Sequence, residues 1–281
     1  MQKSGTQNNG AGRLIKLKKM GNSILLYFHY IKVIIQSAME YKASFLFGAV
    51  GQFLVSFNGL LGIYFIFARF SVIKGYTFHE ALLCYGMMLL GFSIAQCFAR
   101  GFESFSQLIK SGGYDRIMVR PRSPILQVLG SRFETNRILR IVLACVMFFY
   151  GAAHCQIQWT AAKVATAILM LCGITLLFVG IILLGASLCF FTIEDSGFLN
   201  VLIYGGSEHG KYPIDIYGKR MLKFCTYVIP YALVQYYPLQ YLLCRTSRWE
   251  YALYPFGTIV FLAICYGAWR LGMRHYQSTG S

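Results

Sequence analysis

VATAILMLCGITLLFVGIILLGASLCFFTI, residues 164–193, runs for 30 positions without an Asp, Glu, Lys or Arg. A helix crosses a bilayer core with ~17–25 apolar residues, so this segment is more than long enough to span one. Gly173, Gly180 and Gly185 inside it permit tilt or close helix packing. Outward from this run, five more stretches lack the four charged residue types over a comparable length: 44–68, 81–99, 141–162, 224–244 and 251–269. Each is read as a transmembrane helix, which gives six spans.

The whole chain agrees with that reading. Of its 281 residues 57% are hydrophobic and only 13% charged, with a mean hydropathy of +0.54. Soluble domains carry about a quarter charged residues. The fold class expected is therefore an all-α integral membrane protein. With six spans both termini lie on one side, and 21 of the 26 Lys and Arg residues fall on that side. Arg69, Lys74, Lys163, Arg245 and Arg248 make up the remainder. Basic residues are retained in the cytoplasm, so both termini of this multi-pass protein are expected there. The formal net charge of +16 is then a topology signal and not a nucleic-acid footprint, since no aromatic-basic module or zinc knuckle accompanies it.

Ahead of the first span the pattern changes twice. Residues 1–12 are polar and glycine-containing and are expected to be a disordered leader. In 13–43, Ile24, Phe28, Ile31, Ile35 and Met39 recur at helical spacing opposite His29, Lys32, Gln36 and Glu40. That is an amphipathic helix, expected to lie in the cytoplasmic membrane interface and to contact lipid. The remainder, 44–281, reads as one transmembrane domain. The first long apolar run begins at Ser44, too late and too long for a secretory signal.

Candidates for chemistry are few. GGSEHGK, residues 205–211, reproduces the spacing of a phosphate-binding loop at Gly205, Gly210 and Lys211. However, Tyr212 stands where the magnesium hydroxyl should be and Pro213 follows, so the match is read as chance. The spans hold Gln52, Asn58, Gln96, His154 and Gln235 but no carboxylate, so no acid–base pair or proton relay is available inside the bilayer. The nine cysteines are scattered without a C-x-x-C pair and read as packing residues. No metal, cofactor or catalytic residue is expected. Transport by such a chain needs energy from outside it, which points to a permease driven by a separate ATPase.

The long connection 101–140 suits the contact with that partner. Ser111, Gly112 and Gly113 break one helix, Asp115 is placed to cap the next, and RPRSP at 120–124 ends it. A short helix held between two breaks is a projection that a soluble partner can push. Arg116 and Arg120 are expected to pair with the partner's acidic groups, and Arg137, outside the element, to matter less.

SGGYDRIMVRPRSPILQVLG, followed by KYPIDIYGKRMLKFCTYVIPYALVQYYPLQYLL, resembles the six-span permease subunits of the ABC type-2, exporter-type superfamily, within a bacterial subfamily of transport-system permeases. The likeness runs from about Arg13 to the C-terminus. It rests on Asp115, Arg116, Arg120, Pro121, Ser123 and Pro124, then on Tyr212, Pro213, Ile216, Tyr217, Ile229, Pro230 and Pro238. Gly113 and Tyr114 depart from the acidic residue and leucine usual there, and Arg122 from an apolar residue. The resemblance implies an interface helix, a coupling helix between the second and third spans, dimerisation with a like or sister permease, and two ATP-binding-cassette ATPase subunits docked below. It places 211–217 on the way into the fifth span. A non-transporting membrane scaffold is the alternative from another class, and co-purification of an ATPase separates the two.

Overall fold

The computed structural model describes residues 32, 33, 36, 37, 40, 42–192 and 197–277. The expected leader and most of the expected interface helix lie outside these residues; the five positions described between 32 and 40 are helical and exposed. Twelve α-helices follow: α1 Lys42–Arg69, α2 Phe78–Glu103, α3 Phe105–Lys110, α4 Gly113–Met118, α5 Pro124–Leu129, α6 Ile138–His154, α7 Ala161–Thr192, α8 Gly197–His209, α9 Lys219–Tyr227, α10 Tyr231–Val234, α11 Tyr236–Leu242 and α12 Gly257–His275. Among the described residues no strand is assigned, and five helices are long and apolar enough to cross a membrane: α1, α2, α6, α7 and α12, three of them lengthened by short helical turns.

α2 is the pillar. Every residue from Ala81 to Ser93 is buried, because α6 and α7 both pack along it. Small residues make that approach possible. A Cβ on Gly86 would stand 2.6 Å from the backbone nitrogen of Phe148 in α6, and one on Gly91 would stand 2.5 Å from Ile174 in α7. Gly151 is pressed the same way against the backbone of Leu83. Without a hydrophobic drive between helices in lipid, this close van der Waals contact is what holds spans together.

The expected fifth span, 224–244, is not a span. Pro230 has no N–H and bars the helix from continuing, so the segment is divided among α9, α10 and α11. The passage is made earlier in the chain. Leu199 and Ile203 lie beside Phe102, near the end of the bundle that carries α3–α5. Gly210 then packs on Met88, and the Asp215 carboxylate reaches the Tyr76 hydroxyl at the opposite end. From there α9 turns back inward until the Tyr231 hydroxyl donates to the Leu202 carbonyl at 2.7 Å. α10 and α11 climb out again, so that Gln240 donates to Tyr76 and Arg245 to Glu80. Residues 219–242 are therefore a re-entrant hairpin that dips into the bundle and leaves on the side it entered. Non-helical backbone at that depth is tolerated because it is covered by protein: Ile229, Pro230, Tyr231 and Ala232 are all buried. The connection 194–223, expected at the basic end throughout, in fact crosses.

This path sets an expectation for labelling. In a background lacking the exposed Cys172 and Cys244, a single cysteine at Arg220 will react with an impermeant thiol reagent from the same side as one at Ser247, and a cysteine at Ser111 only from the other side. Reaction of the Arg220 and Ser111 positions from one common side would restore 224–244 as a span.

Candidate functional site

The projection at the basic end is built from beneath. Gly112 takes φ 63, a left-handed turn that a glycine adopts without strain, and bends the chain between α3 and α4. Gly113 is buried with Leu108 2.8 Å from where its Cβ would be. Tyr114 then inserts its fully buried ring among Phe105, Phe190, Trp269 and Tyr276, with centroids 5.1–6.5 Å away and edges turned to faces. Asp115 is not the cap that the sequence suggested. The cap position is Gly112, and the Asp115 carboxylate instead accepts a hydrogen bond from the Tyr276 hydroxyl at 3.0 Å, joining α4 to the end of α12. The competing principle is tertiary: a carboxylate in a first turn serves whichever donor the fold supplies.

On the far side of the projection, buried Gln127 donates to the Ile117 and Arg122 carbonyls at 3.3 and 3.1 Å, closing the turn through Pro121. Ser123 precedes Pro124, which occupies the first turn of α5, where its missing N–H is not needed. With its underside fixed in this way, the loop presents Arg116, Arg120, Pro121, Arg122 and Ser123 to solvent around Met118 and Val119, the latter 84% exposed. Three exposed arginines and two exposed apolar side chains thus share this loop.

The second set of sequence residues lies at the other end. Pro213 leads into the 3-10 turn Ile214–Tyr217, Tyr212 gives its carbonyl to Gln235 at 3.0 Å, and Tyr217 packs edge-on against His209. Around the turn sits a latch that the sequence did not disclose. Lys74 donates to the carbonyls of Asp215 and Ile216 at 3.1 and 2.9 Å, Tyr76 donates to Asp215, and Arg245 lies 4.0 Å over the Tyr76 ring while paired to Glu80. Burial raises the Asp215 carboxyl above its ordinary range despite the nearby Tyr76 hydroxyl, Lys74 and Arg245. Pro230 and Pro238 are both buried, one at the inner bend of the hairpin and one in α11. The phosphate-loop spacing is emptied of meaning: Gly205 and Gly206 are inside α8, and the amides of Gly210 and Lys211 are already spent on the carbonyls of Gly206 and Glu208.

Arg137, expected to matter less than the arginines of the projection, is buried, and so is Arg140. Arg140 donates to Ser93 at 2.8 Å and to Gln96 at 2.6 Å and lies over Phe92, while Arg137 also donates to Gln96. Gln96 in turn donates to Glu103, which with Glu134 holds Arg100. Arg137 is thus part of the bundle and no neutral point of comparison for the projection. An arginine flanking an apolar run reads as an interfacial anchor, and only the polar face of α2 opposite it shows otherwise. Among the described residues, no group of three or more His, Cys, Asp and Glu side chains converges as a metal site would require.

Two measurements follow. Tyr114→Ala will lower stability in detergent by about 3–5 kcal/mol, Asp115→Ala by about 0.5–1.5 kcal/mol, and Tyr114→Phe by less than either, read as shifts in thermal unfolding. For Asp215, a raised carboxyl means that the folded chain holds a proton to higher pH than the unfolded chain, so stability falls as pH rises from the ordinary 3.8 through the raised value. Asp215→Asn will remove that slope, gaining on wild type at pH ~7 relative to pH ~4.

A family model described as ABC-2 family transporter protein matches residues 53–280. No curated protein matches, and no solved structure does.

Proposed function

The chain belongs to the ABC-2 transporter family and is a membrane permease of the kind that works with ATP-binding-cassette ATPases; from that premise we propose that it forms half of an export path and is driven through the projection at α4 and α5. The observation that carries this reading is the exposure of Arg116, Arg120 and Arg122 together with Met118 and Val119, on a loop that Tyr114 and Gln127 lock into the bundle. A soluble ATPase pressing there moves α4 against the ends of α7 and α12. The basic end, and with it both termini, faces the cytoplasm, as the distribution of Lys and Arg favours. Export is the direction of the family that the chain resembles.

A second permease completes the path. α1 is the least enclosed of the first four spanning helices, with only 22% of its apolar window buried, and exposed Asn58 lies at its middle. On α8, Glu208 pairs with Lys211 but keeps 63% of its side chain exposed, and Lys211 packs beside Gly59 of α1. Polar groups at that depth face protein or a water-filled cavity, not lipid. The α1 and α8 face is thus where a like or sister subunit fits.

Co-purification tests the docking. Arg120→Ala and Arg116→Ala will each weaken recovery of the ATPase by roughly tenfold in affinity, the scale of one charge-assisted hydrogen bond. Arg274→Ala, exposed at the same end on α12, will change it little. Equal effects from Arg274 and Arg120 would move the docking surface elsewhere.

A further inference from the structure

At the basic end an open cavity of about 780 Å³ lies between the first turn of α1, the last turn of α2 and the segment that leads into α6. Ser44, Arg100, Arg132, Glu134 and Asn136 bring polar groups to it, with Phe45 and Phe133 as apolar wall. All the spans that frame it begin or end there, so it stands at the level of the lipid headgroups. Its size is that of a small-molecule site.

The charge behind it does not balance. Among the described residues, Gln96 links Arg137 and Arg140 to Glu103, and the two carboxylates of the cluster, Glu103 and Glu134, are both engaged on Arg100. Arg137 is 4% exposed, and its Nε has no hydrogen-bond partner among the described residues. Arg132, on the cavity wall, is exposed and adds a further cation. A buried positive charge without its own counter-ion is costly unless an anion is brought to it.

We infer that this cavity binds the phosphate headgroup of an anionic phospholipid in the adjacent leaflet, with Arg132 at its mouth and the net positive α2–α6 cluster behind it. Basic pockets between spans on one face of a membrane protein recognise such headgroups by this complementarity, and the apolar flank of α1, where Leu46 and Phe47 are exposed, receives the acyl chains. Glu134 does not cancel the attraction, because its carboxylate is held by Arg100 at 2.8 Å. The inference concerns the permease by itself and needs neither ATPase nor substrate.

The full chain, delipidated in detergent and offered equimolar phosphatidylglycerol and phosphatidylcholine, is read by native mass spectrometry. Wild type will retain phosphatidylglycerol over phosphatidylcholine by roughly fivefold or more. Arg132→Gln, which removes one cation, and Ser44→Trp, which fills the cavity and leaves every charge in place, will each bring the ratio toward one. Arg122→Gln, equally exposed but on the projection, will leave it unchanged. Millimolar glycerol 3-phosphate will not displace the lipid. A wild-type ratio near one, equal loss with Arg122→Gln, or retention in Ser44→Trp overturns the site; displacement by glycerol 3-phosphate overturns its assignment to lipid in favour of a soluble phosphate.

Discussion

The bundle depends on how closely other helices can approach α2. Lipid offers apolar side chains as good an environment as a neighbouring helix does, so a span becomes fully enclosed only where backbone meets backbone. Gly86 and Gly151 allow that at the α2–α6 contact, Gly91 at α2–α7, and Gly101 where the Val128 carbonyl of α5 would lie 1.8 Å from an added Cβ. The last of these ties the membrane scaffold to the solvent-facing loop. α5 is seated directly on the end of α2, so the projection is an extension of the pillar and not an appendage.

The same enclosure explains what each end can do. At the basic end, Trp269, Phe105, Phe190, Tyr114 and Tyr276 form one aromatic cluster drawn from α12, α3, α7, α4 and the C-terminal segment. A displacement of α4 is shared among all of them, since a close-packed interior transmits strain. At the other end the contacts are polar and discrete: Lys74, Tyr76, Glu80, Asp215, Gln240 and Arg245 pin the turn and hairpin to the α1–α2 connection. One end is fused and the other is latched.

Much of this architecture was legible as hydropathy and little of it as contact. Residues 164–193, 44–68 and 81–99 announced α7, α1 and α2 because length without charge is sufficient for a span. The same measure misread 224–244, which is as long and as free of charge as a span but carries Pro230 at its centre and is covered by protein instead of lipid. It passed over α8, which is short and ends in Glu208 and His209. The breaks around α4 were legible because glycine and proline punctuate them, and Arg116, Arg120 and Arg122 are exposed there. Asp115 was assigned to a local cap when a distant tyrosine held it, and the latch and the buried Arg137 and Arg140 were invisible, since pairings across 40 or more residues leave no local signature.

The crossing made by α8 bears on how the chain enters a membrane. α8 has only 13 residues, with Asn200 and Glu208 among them, and Lys219, Arg220 and Lys223 follow soon after it. Such a segment has little reason to partition alone, and its crossing places those three cations at the end of the bundle opposite the basic one, against the tendency that orients the other spans. α7, with 32 apolar-rich residues, is held in the bilayer without help. α8 therefore has to insert against a surface already in place, the faces of α2 and α7 that bear Met88 and Gly185, and the re-entrant hairpin can fold only after it.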